Sequence, residues 1–119
     1  MDETALRDRL EADRSETERT LGIIRDRLQV AQVDSGGELS MADQHPADAA
    51  TETESRELDM TQRRMLEARL GRIDQAIGRM DKGKYGRCVV CGTRIPDERL
   101  EALPDTAYCV KDASREERR

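Results

Sequence analysis

Between residues 2 and 33 the positions Leu10, Thr17, Leu21, Ile24, Leu28 and Ala31 keep a 4-3 rhythm, with Arg14 in the slot that rhythm would otherwise leave open. So narrow a stripe is the seam of a coiled coil rather than the broad face of a core helix. The outer faces are filled with Arg, Asp and Glu, as expected of a solvated helix surface. Roughly thirty residues at about 1.5 Å each predict a helix of about 45 Å. Asp34, Ser35, Gly36 and Gly37 are its predicted end, because paired glycines free the backbone to stop and turn.

Residues 38–50 have no usable period and include His45 and Pro46, which predicts a connecting tip. A second 4-3 seam follows at Leu66, Leu70, Ile73, Ile77 and Met80, with Leu58 and Met65 extending it backward. Thr51 with Glu54 reads as a capping box at its start, and Gly83 as its stop. Two seams of similar length joined by a short linker predict a hairpin, each stripe covering the other. Pairing of the same stripes with another chain is the alternative.

Composition supports long helices over a ball. Hydrophobic residues make up 35% and charged residues 39%, with two Tyr and no Phe or Trp, so there is little bulk to fill a globular interior. The polar start from Met1 to Thr4 and the absence of a long apolar run predict a cytoplasmic protein with no membrane association. A net charge of −5 argues against a general nucleic-acid binder. The charge is unevenly placed. Residues 36–59 hold seven acids and one base, whereas residues 60–94 hold three acids and nine bases. Such polarity suits a partner met in a defined orientation.

Chemistry concentrates near the carboxy terminus. Cys88 and Cys91 form a C-x2-C pair followed by Gly92, Cys109 stands where a second pair would open, and Asp112 occupies the fourth position. Three cysteines make a poor disulfide framework, and the spacing points to metal or redox chemistry. Zinc joins segments that lack a core of their own, and it accepts Asp as well as Cys. The predicted site is therefore zinc held by Cys88, Cys91, Cys109 and Asp112, or by the three cysteines and water. Packing around Tyr85, Ile95, Leu100 and Tyr108 without metal is the competing account. His45, the one histidine, falls in the tip, away from the cysteines. Residues 99–104 suit a short helix or turn, and Val110 to Arg119 a short charged helix.

The run from Gly83 to Gly92, then Ile95, Arg99 to Pro104 and Cys109, resembles the zinc-finger region of the DksA/TraR family of bacterial transcription regulators. Asp48, Ala49 and Ala50 resemble the D-x-A element at that family's coiled-coil tip. The resemblance implies a mainly α fold: a long antiparallel coiled-coil hairpin over 1–83 with its tip at about 34–50, then a zinc finger and a short C-terminal helix over 84–119. It also implies a monomer that binds RNA polymerase rather than specific DNA, inserting the tip into the secondary channel. Asp48 would be the main polar contact, Ala50 would permit close approach, and His45 stands where well-studied members have a second aspartate. Leu103 replaces a base used in responses to ppGpp and Arg72 matches another such position, so the dependence on ppGpp is expected to be weak or absent. A zinc-clamped coiled-coil adaptor, a DNA-binding finger resting on the basic stretch, and a thiol switch at Cys88 and Cys91 are the competing functions. No pairing of nucleophile and base and no phosphate-binding loop suggests an enzyme.

Overall fold

The computed structural model describes residues 2–37 and 46–117, with side-chain surroundings within 2–30 and 51–117. Among the described residues four helices follow one another: α1 (Glu3–Gly37), α2 (Pro46–Asp81), α3 (Asp97–Ala102) and α4 (Val110–Glu117). Among the same residues there is no strand, and no helix is long and apolar enough to cross a membrane.

Asp2 opens α1 by accepting the Ala5 N–H at 3.1 Å, which satisfies one of the helix's unpaired amides. The helix runs through Asp34 and Ser35 and ends at the second glycine of the pair. Its partner helix starts earlier than expected. Pro46 occupies the first turn of α2, where a fixed φ and a missing N–H cost nothing. Residues 46–50 are therefore helical rather than part of the tip, and Thr51 lies inside the helix instead of capping it.

The chain divides into two compact units, residues 17–68 and residues 1–16 with 69–119. Within the first, Leu21, Ile24 and Leu28 of α1 are buried together with Thr17, as the 4-3 seam predicts. Arg27 pairs with Asp59 at 2.8 Å and Arg25 with Glu67 at 3.1 Å. These pairs run in opposite directions along the two helices, so the segments are antiparallel. Leu58 and Met65 do not extend the seam; they are 58% and 66% exposed. Stepping back from Leu66 by threes and fours reaches Arg63 and Asp59 instead, and the side chain of Asp59, paired with Arg27, is largely covered.

The second unit packs the opposite ends of α1 and α2 with the short carboxy-terminal elements. Arg14 meets Asp74 at 2.7 Å, and Arg7 pairs with Asp81, again antiparallel. One cluster joins Leu6 and Leu10 of α1, Ile73, Ala76 and Met80 of α2, and Cys88, Ile95 and Leu100 beyond them. Leu6 and Ala76 are buried although neither belongs to the predicted seams. A two-helix seam needs only a narrow stripe, but here the carboxy-terminal segment also covers α2, so a broader face is buried. Each fully buried Leu or Ile of this cluster contributes about 1.5–3 kcal/mol of transfer free energy.

Candidate metal centre

The cysteine element begins where α2 stops. Lys84 N–H bonds the Arg79 carbonyl at 2.8 Å and Gly83 N–H the Met80 carbonyl at 3.1 Å, with Gly83 at φ 70°. This pair of bonds is a Schellman motif, so Gly83 is the stop that the sequence predicts. The Tyr85 hydroxyl then donates to the Pro104 carbonyl at 2.9 Å, tying the start of the element to its later loop. Burial pushes the Tyr85 hydroxyl up to about 12.

A tight ribbon follows. Ile95 N–H bonds the Gly86 carbonyl at 2.7 Å, Cys88 N–H the Thr93 carbonyl at 2.9 Å and Gly92 N–H the Cys88 carbonyl at 2.9 Å. Gly86 and Gly92 have φ of 89° and 74°, a backbone region that costs glycine little. The turn brings Cys88 and Cys91 to one side. Val89 N–H bonds the Ala107 carbonyl at 2.9 Å, which lays the ribbon beside the segment leading to Cys109. Cys109 immediately precedes α4, its carbonyl accepting the Ala113 N–H at 2.8 Å, so Cys109 and Asp112 face the same way one turn apart.

The ligand atoms of Cys88, Cys91, Cys109 and Asp112 all lie within 4.8 Å of one another. Asp112 Oδ2 is 3.0 Å from Cys88 Sγ and 3.3 Å from Cys109 Sγ, and Cys91 Sγ is 3.9 Å from Cys109 Sγ. Zinc–sulfur bonds of about 2.3 Å set a tetrahedral sulfur–sulfur edge of about 3.8 Å, close to the Cys91–Cys109 separation, so the chemistry and spacing of this donor set suit zinc. Asp112 is only 4% exposed, and a charge so buried requires partners. Hydrogen bonds from the Cys88, Cys91 and Cys109 thiols, with more distant help from Arg115, hold its carboxyl down to about 2. Ionised, it is ready to bind a cation.

Cluster and packing coexist. Cys88 belongs to the apolar core, and Tyr85, Tyr108 and Cys109 lie against it beside Ile95 and Leu100. Arg99 Nε donates to the Tyr108 carbonyl at 3.0 Å, and Arg79 to the Thr106 carbonyl at 3.2 Å. Arg72 reaches Asp105 at 3.2 Å. Asp48 and Ala50 sit in the first turns of α2 with side chains outside the described residues, and His45 lies outside them altogether.

The sequence pattern does not reveal the Arg87 and Arg94 pair. The two arginines are joined by an antiparallel bridge across the ribbon. Their signal is present as the residues just before Cys88 and just after Thr93, but their opposition becomes visible only once the turn is formed.

Residues 83–118 match the family of the prokaryotic dksA/traR C4-type zinc finger. The chain is 41% identical to the uncharacterized protein YteA of Bacillus subtilis over 83 residues, covering 70% of this chain and 35% of YteA. It is 37% identical to the RNA polymerase-binding transcription factor DksA of Caulobacter vibrioides over 73 residues, covering 61% of this chain and 51% of that protein. These matches thus span about a third to about half of the relatives' length. The structure of transcription factor DksA2 from Pseudomonas aeruginosa superposes with a TM-score of 0.74, covering 97% of this chain and 82% of that one at 24% identity. The family's finger is of C4 type, whereas the fourth position here is Asp112.

Proposed function

Because residues 83–118 match the finger of the prokaryotic dksA/traR C4-type family, we propose that this protein is a bacterial transcription regulator that binds RNA polymerase and acts without catalysis of its own. The observation that carries this reading is the joint occurrence of that finger and a DksA2-like fold over nearly the whole chain. A finger alone would be compatible with many partners.

In this reading zinc is held by Cys88, Cys91, Cys109 and Asp112. When bound, it supplies a tetrahedral crosslink between the ribbon and the start of α4. The residues around it tie the end of α2 to the finger: the Schellman stop at Gly83, the Tyr85 bond to Pro104 and the Arg79 bond to Thr106. The amino-terminal end of α2, with the residues just before it, enters the polymerase's secondary channel. There Asp48 makes the polar contact that alters promoter complexes, Ala50 leaves room for it, and His45 flanks it. Acids crowd this region of the sequence, and a centre holding magnesium and basic groups attracts them.

Transcription in vitro with the cognate polymerase tests the proposal. The intact protein should change the lifetime or output of promoter complexes. Asp48→Asn should bind core polymerase with similar affinity yet lose most of that effect. Binding by the intact protein with no effect on transcription would assign it to mere docking, and an unchanged effect of the variant would take Asp48 out of the contact.

A further inference from the structure

Within residues 17–68 each long helix carries a second stripe, one residue before the first. It occupies positions 20, 23, 27 and 30 of α1 and positions 55, 58, 62 and 65 of α2, with the same 3-4-3 spacing on both. Ile23 and Val30 stand on it 54% and 59% exposed, and Leu58 and Met65 58% and 66% exposed. Its eight positions hold one charge, Arg27, which is paired with Asp59 at 2.8 Å. The eight positions one residue after the seam, 22, 25, 29 and 32 with 57, 60, 64 and 67, hold four charges. Arg25 follows Ile24 by one residue and Glu67 follows Leu66 by one, and the two pair at 3.1 Å. The flanks after the seam thus share one side of the helix pair, and the flanks before it share the other. In this antiparallel register Ile23 lies level with Met65, and Val30 with Leu58.

We propose that a second copy of this chain docks on this face, so that two helix pairs close into a four-helix bundle. Stripes one residue apart on a helix point about 100° apart. That is close to the right angle at which a helix of a square bundle touches its two neighbours. Both second stripes open to one side, so the face accepts two helices, and another copy presents a matching pair. Charge selects the same occupant. Copies of a chain with 39% charged residues meet here without repulsion, whereas a strongly charged partner finds no counter-charge. The four apolar side chains expose about 400 Å² per copy, a size that marks interaction sites rather than scattered surface residues. With the polar positions between them, two copies bury about 1,200 Å², the low end of specific interfaces, so the association is reversible. The monomer that the family resemblance implies is then the dilute form.

Equilibrium sedimentation of the full zinc-loaded chain in reducing buffer tests the face. The parent protein should pass from monomer to dimer with a midpoint on the order of 10 μM. Leu58→Gln with Met65→Gln should raise that midpoint by about tenfold or more, and Ile23→Gln with Val30→Gln should act alike. Helix content should be unchanged in both, because these side chains are exposed in the single chain. Glu57→Gln with Arg64→Gln, on the opposite flank, keeps the net charge and should leave the midpoint where it is. A parent protein that stays monomeric up to about 500 μM would overturn the proposal, as would a dimer that the two apolar variants leave intact or that the opposite-flank variant weakens equally. Loss of helix in the apolar variants would return their residues to the seam between α1 and α2 and overturn it too. Weaker polymerase binding by those variants of a strictly monomeric parent would give the face to polymerase instead. Sedimentation itself uses no polymerase, so a dimer stands or falls independently of the function proposed above.

Discussion

Asp112 stands in the fourth position of a finger that matches a C4-type family, and its carboxylate is buried among three thiols. A carboxylate is a harder donor than a thiolate and holds zinc less tightly. Asp112→Cys is therefore expected to tighten zinc binding by about tenfold or more, measured by competition with a metal indicator, and Asp112→Ala to weaken it. Tyr85 carries a second prediction. Its folded hydroxyl titrates at about 12, above the ordinary value of 10.0. The protonated form is thus favoured by folding: the contribution is complete below about pH 10 and is lost as pH rises toward about 12. Tyrosinate absorbance should show one high-titrating group, which Tyr85→Phe removes together with part of the alkaline unfolding.

Among the helices, ends are set by single residues and packing by stripes. Gly83 has a positive φ, and a Cβ added there would have nothing within 4 Å, so Gly83→Ala meets no clash and costs about 1 kcal/mol from the backbone alone. Thermal or urea unfolding measures it. The two kinds of apolar residue on the helices should separate sharply. Leu10→Ala, in the buried cluster, is expected to cost about 2–5 kcal/mol, whereas Met65→Ala, at an exposed position, should change stability by less than about 0.5 kcal/mol. A large loss at Met65 would reinstate it in the seam. Periodicity places Leu58 and Met65 wrongly because either register fits a run with few apolar residues. The ion pair of Arg27 with Asp59 could not be read from a pattern that counts charged residues as solvated.

Charge is the property of the entire chain most open to experiment. Seven acids and one base over residues 36–59 precede nine bases and three acids over 60–94. This polarity gives a protein of net charge −5 a basic region near the finger. The resemblance implies that responses to ppGpp use bases near the finger; Leu103 stands at one position it matches, and Arg72, at another, is engaged by Asp105. Addition of ppGpp to a reconstituted transcription reaction is accordingly expected to leave this protein's effect essentially unchanged. Marked potentiation would mean that other residues form such a site.

Features that depend on local spacing were legible in the chain itself. The 4-3 rhythm specified two long helices, Gly83 specified where the second one stops, and the separations of Cys88, Cys91, Cys109 and Asp112 specified a group able to converge on one ion. Each of these follows from backbone geometry repeated over a few residues. The remainder depends on tertiary packing. Leu6, Ala76 and Cys88 are buried because a third segment covers the helix ends, and Asp112 is ionised inside because three thiols face it. Arg87 opposes Arg94 because the cysteine turn folds one back on the other. In every such case the deciding neighbour is distant in the chain or lies across a turn, and its energy depends on what surrounds both partners. The cysteine spacing shows that a metal can be held; the structure adds that its fourth donor is a buried carboxylate facing the three thiols.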